Sequence, residues 1–400
     1  LNFQPGVRVE TNCQNCGFQQ VRINGLDGPY TQILIDSRPV FSALSGVYGL
    51  EQIPASMIER VEVMRGGGSA LFGSSAIAGT INIITKEPLR NSGQLSHTIT
   101  SLGGSSSFDN NTSLNASLVT DDHRAGLYIF GQNRYRSGYD YDGDGFTELP
   151  KLKNQTVGFR SYLKTSTYSK LTFEYHHMQE FRRGGDMLNR PPHEAHIAEQ
   201  LQHSIDGGSL KFDYFSPDEK NRLSVFASAA NTDRDSYYGP GNDPLKAYGK
   251  TTDLTAMGGA QYVHTFDKCF FMPSDLTAGL EYNRDRLKDN MWGYNRHTDQ
   301  TVNIYSAFLQ NEWKNDRWGI LIGARLDKHN MVDNVIFSPR ANLRFNPTQN
   351  INLRLSYSSG FRAPQAFDED MHIENVGGTV AMIERAKDLK EEKSQSFSAS

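Results

Sequence analysis

Along Ile351-Asn352-Leu353-Arg354-Leu355-Ser356-Tyr357-Ser358 odd positions are apolar or aromatic and even ones polar, the period of a strand with one greasy and one wet face. Ala341, Leu343 and Phe345 alternate with Asn342 and Arg344, and Trp318 to Asp327 sets Ile320, Ile322, Ala324 and Leu326 on one side. From about residue 93 onward this pattern recurs in roughly 13 or 14 segments, among them Leu95 to Thr100, Ser113 to Val119, Leu127 to Arg134, Val157 to Leu163, Leu171 to Met178, Leu210 to Phe215, Leu223 to Asn231 and Leu276 to Tyr282. Short polar turns such as Thr120 to Arg124, Ser216 to Lys220 and Asn346 to Asn350 follow every second strand, and longer loops rich in Gly, Pro, Asp and aromatics lie between them. Short turns at one end and long loops at the other are the asymmetry of a transmembrane β-barrel. The pattern predicts a lumen lined by Arg and Asn, with Leu, Ile, Tyr and Phe facing lipid. A soluble array of β repeats is the alternative, but its buried face would be more continuously apolar.

Residues 1 to 90 do not alternate and predict a separate, mixed α/β unit. Gln32 to Asp36 reads as a short buried strand, Gly49 to Glu59 as polar and helix-prone with Pro54 as first helical residue, and Arg60 to Met64 and Gly79 to Thr85 as further strands. Val61 to Met64 and Ile81 to Ile84 look like sheet core, yet Gly66-Gly67-Gly68-Ser69-Ala70-Leu71-Phe72-Gly73 sits between them. A phosphate-cradling loop is excluded: the Gly-Lys-Ser/Thr ending is missing and no strand, helix, strand unit of the usual length surrounds it. A turn whose backbone lies against something else accounts for the glycines better.

Composition leaves this picture intact. The 400 residues are 22% charged and 37% hydrophobic with a net charge of −4, which argues against a nucleic-acid partner. A mean hydropathy of −0.57 is compatible with barrel strands, whose single apolar face averages out. No apolar run is long enough for a membrane-spanning helix.

The stretches LIDSRPV, IPASMIERVEVMRGGGSALFGSSAIAGTINIITKEP and LRLSYSSGFRAPQAFDED resemble the TonB-dependent outer-membrane receptors of Gram-negative bacteria, most of all their cobalamin-receptor branch. The resemblance implies an all-β transmembrane barrel of about 22 antiparallel strands with an N-terminal α/β plug in its lumen. Residues 1–90 would be the plug without its N-terminal part, and 91–400 the first part of the barrel. A chain with about 13 or 14 strands is then expected to be a fragment, and the energy-coupling TonB box to lie upstream of it. Asp36-Ser37-Arg38 stands where the family usually reads Asp-Gly, so another turn geometry is expected there. Arg60, Glu62, Arg65, Gly66, Gly67, Gly68, Gly73 and Gly79 carry the plug motif, with Glu59, Arg60 and Glu62 expected to pair with charges of the lumen.

The function implied is active import of a large scarce nutrient, a corrinoid such as cobalamin by preference, with haem or a ferric siderophore as the alternative and copper or zinc uptake or a passive pore behind. The implied partners are the TonB-ExbB-ExbD energy-transducing complex, membrane lipid, an organometallic small-molecule cargo and, as an open alternative, a surface lipoprotein lid. No enzyme is expected: a lipase or protease needs a nucleophile with its base, and no Gly-x-Ser-x-Gly is present. A passive channel would need no plug, and an adhesin would not need Arg60 to Lys86.

The cargo contacts expected in the plug's apical loops are Asn12, Cys13, Gln14, Asn15, Cys16, Phe18, Phe41 and Tyr48. Cys13 and Cys16 suit a short disulfide in an oxidising compartment; a thiolate metal site needs more than two ligands. Met64, His176 and Met178 are available soft ligands, but nothing in the sequence places them nearby. Cys269 reads as an unpaired cysteine in a turn at the other end. Alternation turns His176 toward the lumen, and His193, His196 and His372 fall in loops. Asp140, Asp142 and Asp144 stand like the front half of a calcium loop, with Glu148 as the closing ligand of a shorter version. Calcium there, with no required cofactor elsewhere, stands against a solvated acidic turn.

Overall fold

The computed structural model describes residues 4–13, 17–38, 53–73, 76–239, 244–376, 379–386 and 388–400, and no helix among them is long and apolar enough to cross a membrane. The plug opens with a hairpin of β1 (Val7–Cys13) and β2 (Phe18–Ile23). It continues as a three-stranded sheet in the order β3-β5-β4: β3 (Thr31–Ile35) runs parallel to β5 (Gly79–Thr85), and β4 (Ile58–Arg65) pairs antiparallel with β5 on its other side. Central β5 is buried almost throughout, so Ile81 and Ile83 are core. β4 departs from expectation. As an edge strand it is largely exposed, Val61 at 40%, because it has a partner on one side only. The helix expected over Gly49 to Glu59 is a single 3-10 turn, Ala55–Met57, before which Pro54 is the cap rather than the first helical residue; residues 49–52 lie outside the described ones. The glycine loop carries one helical turn, α1 (Ser69–Phe72).

The wall is one continuous antiparallel sheet of 14 strands, each paired with its sequence neighbour until the last. Its first half comprises β6 (Ser92–Ser101), β7 (Phe108–Val119), β8 (Ala125–Arg136), β9 (Lys151–Ser166), β10 (Ser169–Gly185), β11 (Ala198–Phe215) and β12 (Asn221–Gly239). The second half comprises β13 (Tyr248–Cys269), β14 (Met272–Met291), β15 (Arg296–Lys314), β16 (Trp318–His329), β17 (Ile336–Thr348) and β18 (Ile351–Arg362). A small hairpin of β19 (Ile373–Val376) and β20 (Thr379–Met382) intervenes before β21 (Glu392–Ala399) joins β18.

Several strands outrun the segments visible in the sequence. β11 starts at Ala198 rather than Leu210, and β13 reaches 22 residues, about twice what a bilayer's hydrocarbon requires. Beyond the lipid both faces are polar, as in Gln200, Gln202 and His203, and alternation no longer marks the strand.

On the wall's outer face Leu114, Val157, Leu280, Ile322 and Leu355 are each more than half exposed, as lipid-facing side chains should be. The expectation that every large apolar or aromatic residue faces outward fails for Tyr128 and Phe130 on β8. Both point inward and complete the plug's core with Val21, Ile23, Ile81 and Ile83, since a sheet this small cannot bury its faces alone. Leu287 likewise faces inward, against Ala366 and Met371 of the segment that follows β18.

Candidate functional site

The glycine loop meets the wall through backbone. A Cβ on Gly67 would lie 2.7 Å from the carbonyl carbon of Ser359, and one on Gly360 would lie 2.7 Å from the oxygen of Ala76. Close approach, not left-handed backbone, therefore requires glycine at 67; its neighbour Gly66 is the one with a positive φ, 87°. The Gly67 N–H donates to Ser396 Oγ at 3.1 Å, and the Phe361 N–H donates to Ser69 Oγ at 3.1 Å. Gly73 ends α1 with φ 79° beneath Arg325, which is already neutralised within the wall by Glu281 at 2.7 Å and Asp327 at 2.8 Å. Gly68 and Gly79 serve the plug's interior: a Cβ would strike Thr80 at the first and the Met64 carbonyl, at 2.4 Å, at the second.

The charges expected to bridge plug and wall do something more local. Arg60 pairs with Glu62 on its own strand at 2.9 Å, Asn82 donates to Glu62 at 3.2 Å, and Arg65 donates to the Pro5 carbonyl at 3.3 Å. β4 is an edge, so its side chains find each other before they find the wall.

The bridging group is Asp36. Ile35 and Arg38 exchange both backbone hydrogen bonds around Asp36 (φ 49°) and Ser37 (φ 65°), a turn with two left-handed central residues. The expected change of geometry does not occur: this is the type I′ turn that Asp-Gly favours, with Ser37 taking the left-handed position usual for glycine, and Asn82 holds it by accepting the Ser37 N–H at 2.8 Å. The turn aims the Asp36 carboxylate at the Thr85 N–H (3.0 Å) and hydroxyl (2.7 Å) and at the guanidinium of Arg160 on β9. Arg160 also reaches Glu174 of β10 at 3.3 Å and Glu87 at 3.6 Å, and Lys170 closes the set on Glu87 at 3.2 Å. Burial pushes the Asp36 carboxyl upward, but the Arg160 charge and the hydrogen bonds from Thr85 outweigh it and hold the group below its ordinary value.

Beside this cluster a cavity of about 440 Å³ separates plug from wall, lined by Arg38, Arg60, Arg160, Glu174 and Lys211 among others. Sequence reasoning missed this hub. The available signal was Arg160, a cation on the lumenal face of an alternating strand that needed a partner from the plug.

Of the expected cargo contacts, Asn12 and Cys13 end β1 and Phe18 begins β2, with only their backbones described; Gln14, Asn15, Cys16, Phe41 and Tyr48 lie outside the described residues. The turn's return is anchored by Gly17 (φ 66°), whose carbonyl accepts from Arg182 of β10 at 3.2 Å. Arg182 is itself fixed by the fully buried Glu180 at 2.8 Å. His176 is lumenal and lines a second, smaller cavity with Arg38 and Glu174. Cys269 is a free thiol in a tight turn before Met272.

In the acidic loop, carboxylate oxygens of Asp140, Asp142 and Glu148 lie within 4.8 Å of one another, the one such group among the described residues. Asp144 is not part of it and accepts the Phe146 N–H at 2.8 Å instead. Asp140 already accepts the Gly143 and Gly145 N–H groups at 2.7 and 2.9 Å, so it shapes the turn as well as offering a ligand.

A plug sheet seated inside a barrel wall by a glycine loop defines the class. Residues 1–80 match the TonB-dependent receptor plug domain and residues 85–400 the TonB-dependent receptor-like β-barrel, and the chain belongs to the TonB-dependent receptors. It is 23% identical over 385 residues to the vitamin B12 transporter BtuB of Vibrio vulnificus, covering 92% of this chain and 57% of that one. It is 25% identical over 434 aligned positions to a ferric enterobactin receptor of Pseudomonas aeruginosa, covering 92% and 56%. In fold it resembles the siderophore receptor PirA of Acinetobacter baumannii, with a TM-score of 0.81 at 19% identity over 99% of this chain and 64% of that structure. The chain thus spans a little over half the length of the relatives it matches.

Proposed function

We propose that the receptor to which this chain contributes its plug and wall imports a bulky metal chelate across the outer membrane of a Gram-negative bacterium, driven by the TonB-ExbB-ExbD complex. The observation that carries this reading is the seated plug. A wall with a polar lumen is occupied by a sheet hydrogen-bonded apart from it but packed on it through specific contacts, so passage requires work to move it. A resting pore would have no use for such contacts. Relatives' names support two cargo classes, and the ferric siderophore comes first, because the P. aeruginosa receptor PirA matches at 36% identity over 101 residues in addition to the longer enterobactin match. The corrinoid favoured by the sequence reading comes second, supported by the BtuB match over most of the chain.

Equilibrium binding of ferric enterobactin, cyanocobalamin and haemin to the full-length receptor, measured side by side, tests the assignment. Tightest binding of the ferric chelate, with uptake in cells that ceases when TonB is deleted, is the expected result. Uptake that persists without TonB overturns the energised-import reading, and tighter binding of cyanocobalamin reverses the order of cargoes.

A further inference from the structure

Two cavities lie end to end along one flank of the plug. The larger, about 440 Å³, opens beside the Asp36 turn; the smaller continues from it past Glu174 to His176, and both are lined by Asp36, Arg38, Glu174 and Ser209. The wall here presents small groups, Gly208, Ser209 and Ser228, to the smaller void. Arg38 borders both voids. It is buried, lies 4.6 Å above the ring of Phe226, and makes no ion pair among the described residues. On this flank plug and wall are joined by charge, with Arg160 shared among Asp36, Glu174 and Glu87. On the opposite flank they are joined by backbone, Gly67 against Ser359 and Gly360 against Ala76.

These two attachments respond differently to a pull. Ion pairs bordering a hydrated void can exchange protein partners for water step by step, so separation is gradual. Backbone packed at van der Waals distance has no such intermediate and gives way all at once.

From this we propose that the cavity between the Asp36 turn and β9 to β11, at the short-turn end of those strands, is the preformed inner end of the cargo's route. The Asp36–Arg160 latch releases to widen it while the glycine loop stays seated on β18 and β21. Arg38, whose charge is offset by Asp36, Glu174 and Asp213 without a close ion pair, then borders the widened route. The inference rests on the import reading and adds to it the side on which the plug opens.

Thiol tethering of the full-length receptor tests the route, with the native cysteines kept and wild-type receptor treated with the same linker as the control. One pair, Ser37→Cys with Thr172→Cys, faces the larger cavity from plug and wall. A second pair, Ala76→Cys with Ser394→Cys, flanks Gly360 on the other side. Each is linked by a short, reductant-cleavable bis-thiosulfonate, and energised uptake of radiolabelled ferric enterobactin and cyanocobalamin is followed before and after linking. The expected result is loss of uptake on linking Ser37→Cys to Thr172→Cys, recovery with reductant, and undiminished uptake when the Gly360 flank is linked. Block by both links means that the plug leaves as a body, and block by the second alone or by neither places the route elsewhere; each overturns the proposal. Should the unlinked Ser37→Cys, Thr172→Cys protein fail to take up either probe while wild type succeeds, Ser37→Cys with Ser209→Cys, which faces the same cavity, is linked instead and read by the same outcomes. Absence of uptake by wild type itself removes the import reading, and the route falls with it.

Discussion

On the β18 flank the plug touches the wall through main chain, with Gly67 so close to Ser359 that no side chain fits between them. On the β9 flank it does so through the guanidinium of Arg160, shared among the carboxylates of Asp36, Glu174 and Glu87 beside a cavity. The first contact depends on shape and is indifferent to pH and salt; the second depends on charge state and tolerates reshaping. One small sheet is thus held in two ways, and a perturbation of one kind should spare the contact of the other kind.

Gly67→Val gives the largest expected effect. A branched side chain 2.7 Å from backbone must displace the loop, at a cost of about 3 kcal/mol in seating. Protease sensitivity of the plug should rise and cargo uptake should fall well below wild type at normal receptor levels in the membrane. Native uptake by this variant would show that the backbone contact is not needed.

Arg160→Met comes next. Asp36 and Glu174 lose their shared cation, but cavity water rehydrates them, so the expected destabilisation of the seated plug is about 2 kcal/mol. Passive entry of a bulky polar dye should increase, and a second change, Asp36→Asn, should add little because both remove the same interaction. Additive effects would mean that Asp36 and Arg160 act separately.

Acidification should act on the same flank more gently. Because the Asp36 carboxyl titrates below its ordinary value of 3.8, its contribution to seating is complete above that value and is lost as pH falls through the still lower value of the seated plug. Plug protection from protease should hold from neutrality to mild acidity and decline only below the ordinary carboxylate range, with Asp36→Asn removing that part of the decline. An equal decline in both proteins would assign it to other groups.

The smallest effect is expected in the acidic loop, where charges gather without a wall to bind. If calcium joins Asp140, Asp142 and Glu148, millimolar calcium should raise the loop's protease resistance and cargo affinity a few fold, and Asp142→Asn with Glu148→Gln should abolish both gains. Asp140 is left unchanged because it caps Gly143 and Gly145. Identical behaviour in calcium and in chelator would leave a solvated turn.

The wall was legible because lipid on one side and water on the other force alternation, as along Ile351 to Tyr357. The plug was legible only through its motif: Ile81 and Ile83 face core on one side of β5 while Thr80 and Asn82 are also buried on the other. Edge exposure of β4 could not be read from Val61 and Val63, since strand order is a long-range property. Tyr128 and Phe130 misled for a related reason, because the lumen is wet only where the plug does not fill it. The glycines announced a close approach without naming its partner, and Arg160 announced a charge without naming Asp36, 124 residues away. Neither partnership leaves a local trace.

The two attachments also differ in when they can form as the chain is made and inserted. Arg160 is available as soon as β9 and β10 exist, whereas Gly67 waits for Ser396 and Ser69 for Phe361, separations of 329 and 292 residues. Loop closure over such distances comes late. A receptor stopped before β18 should therefore keep its plug by Asp36 on Arg160, by the core shared with Tyr128 and Phe130 and by Gly17 on Arg182, and lack only the glycine-loop seat, which serves as a marker of finished assembly.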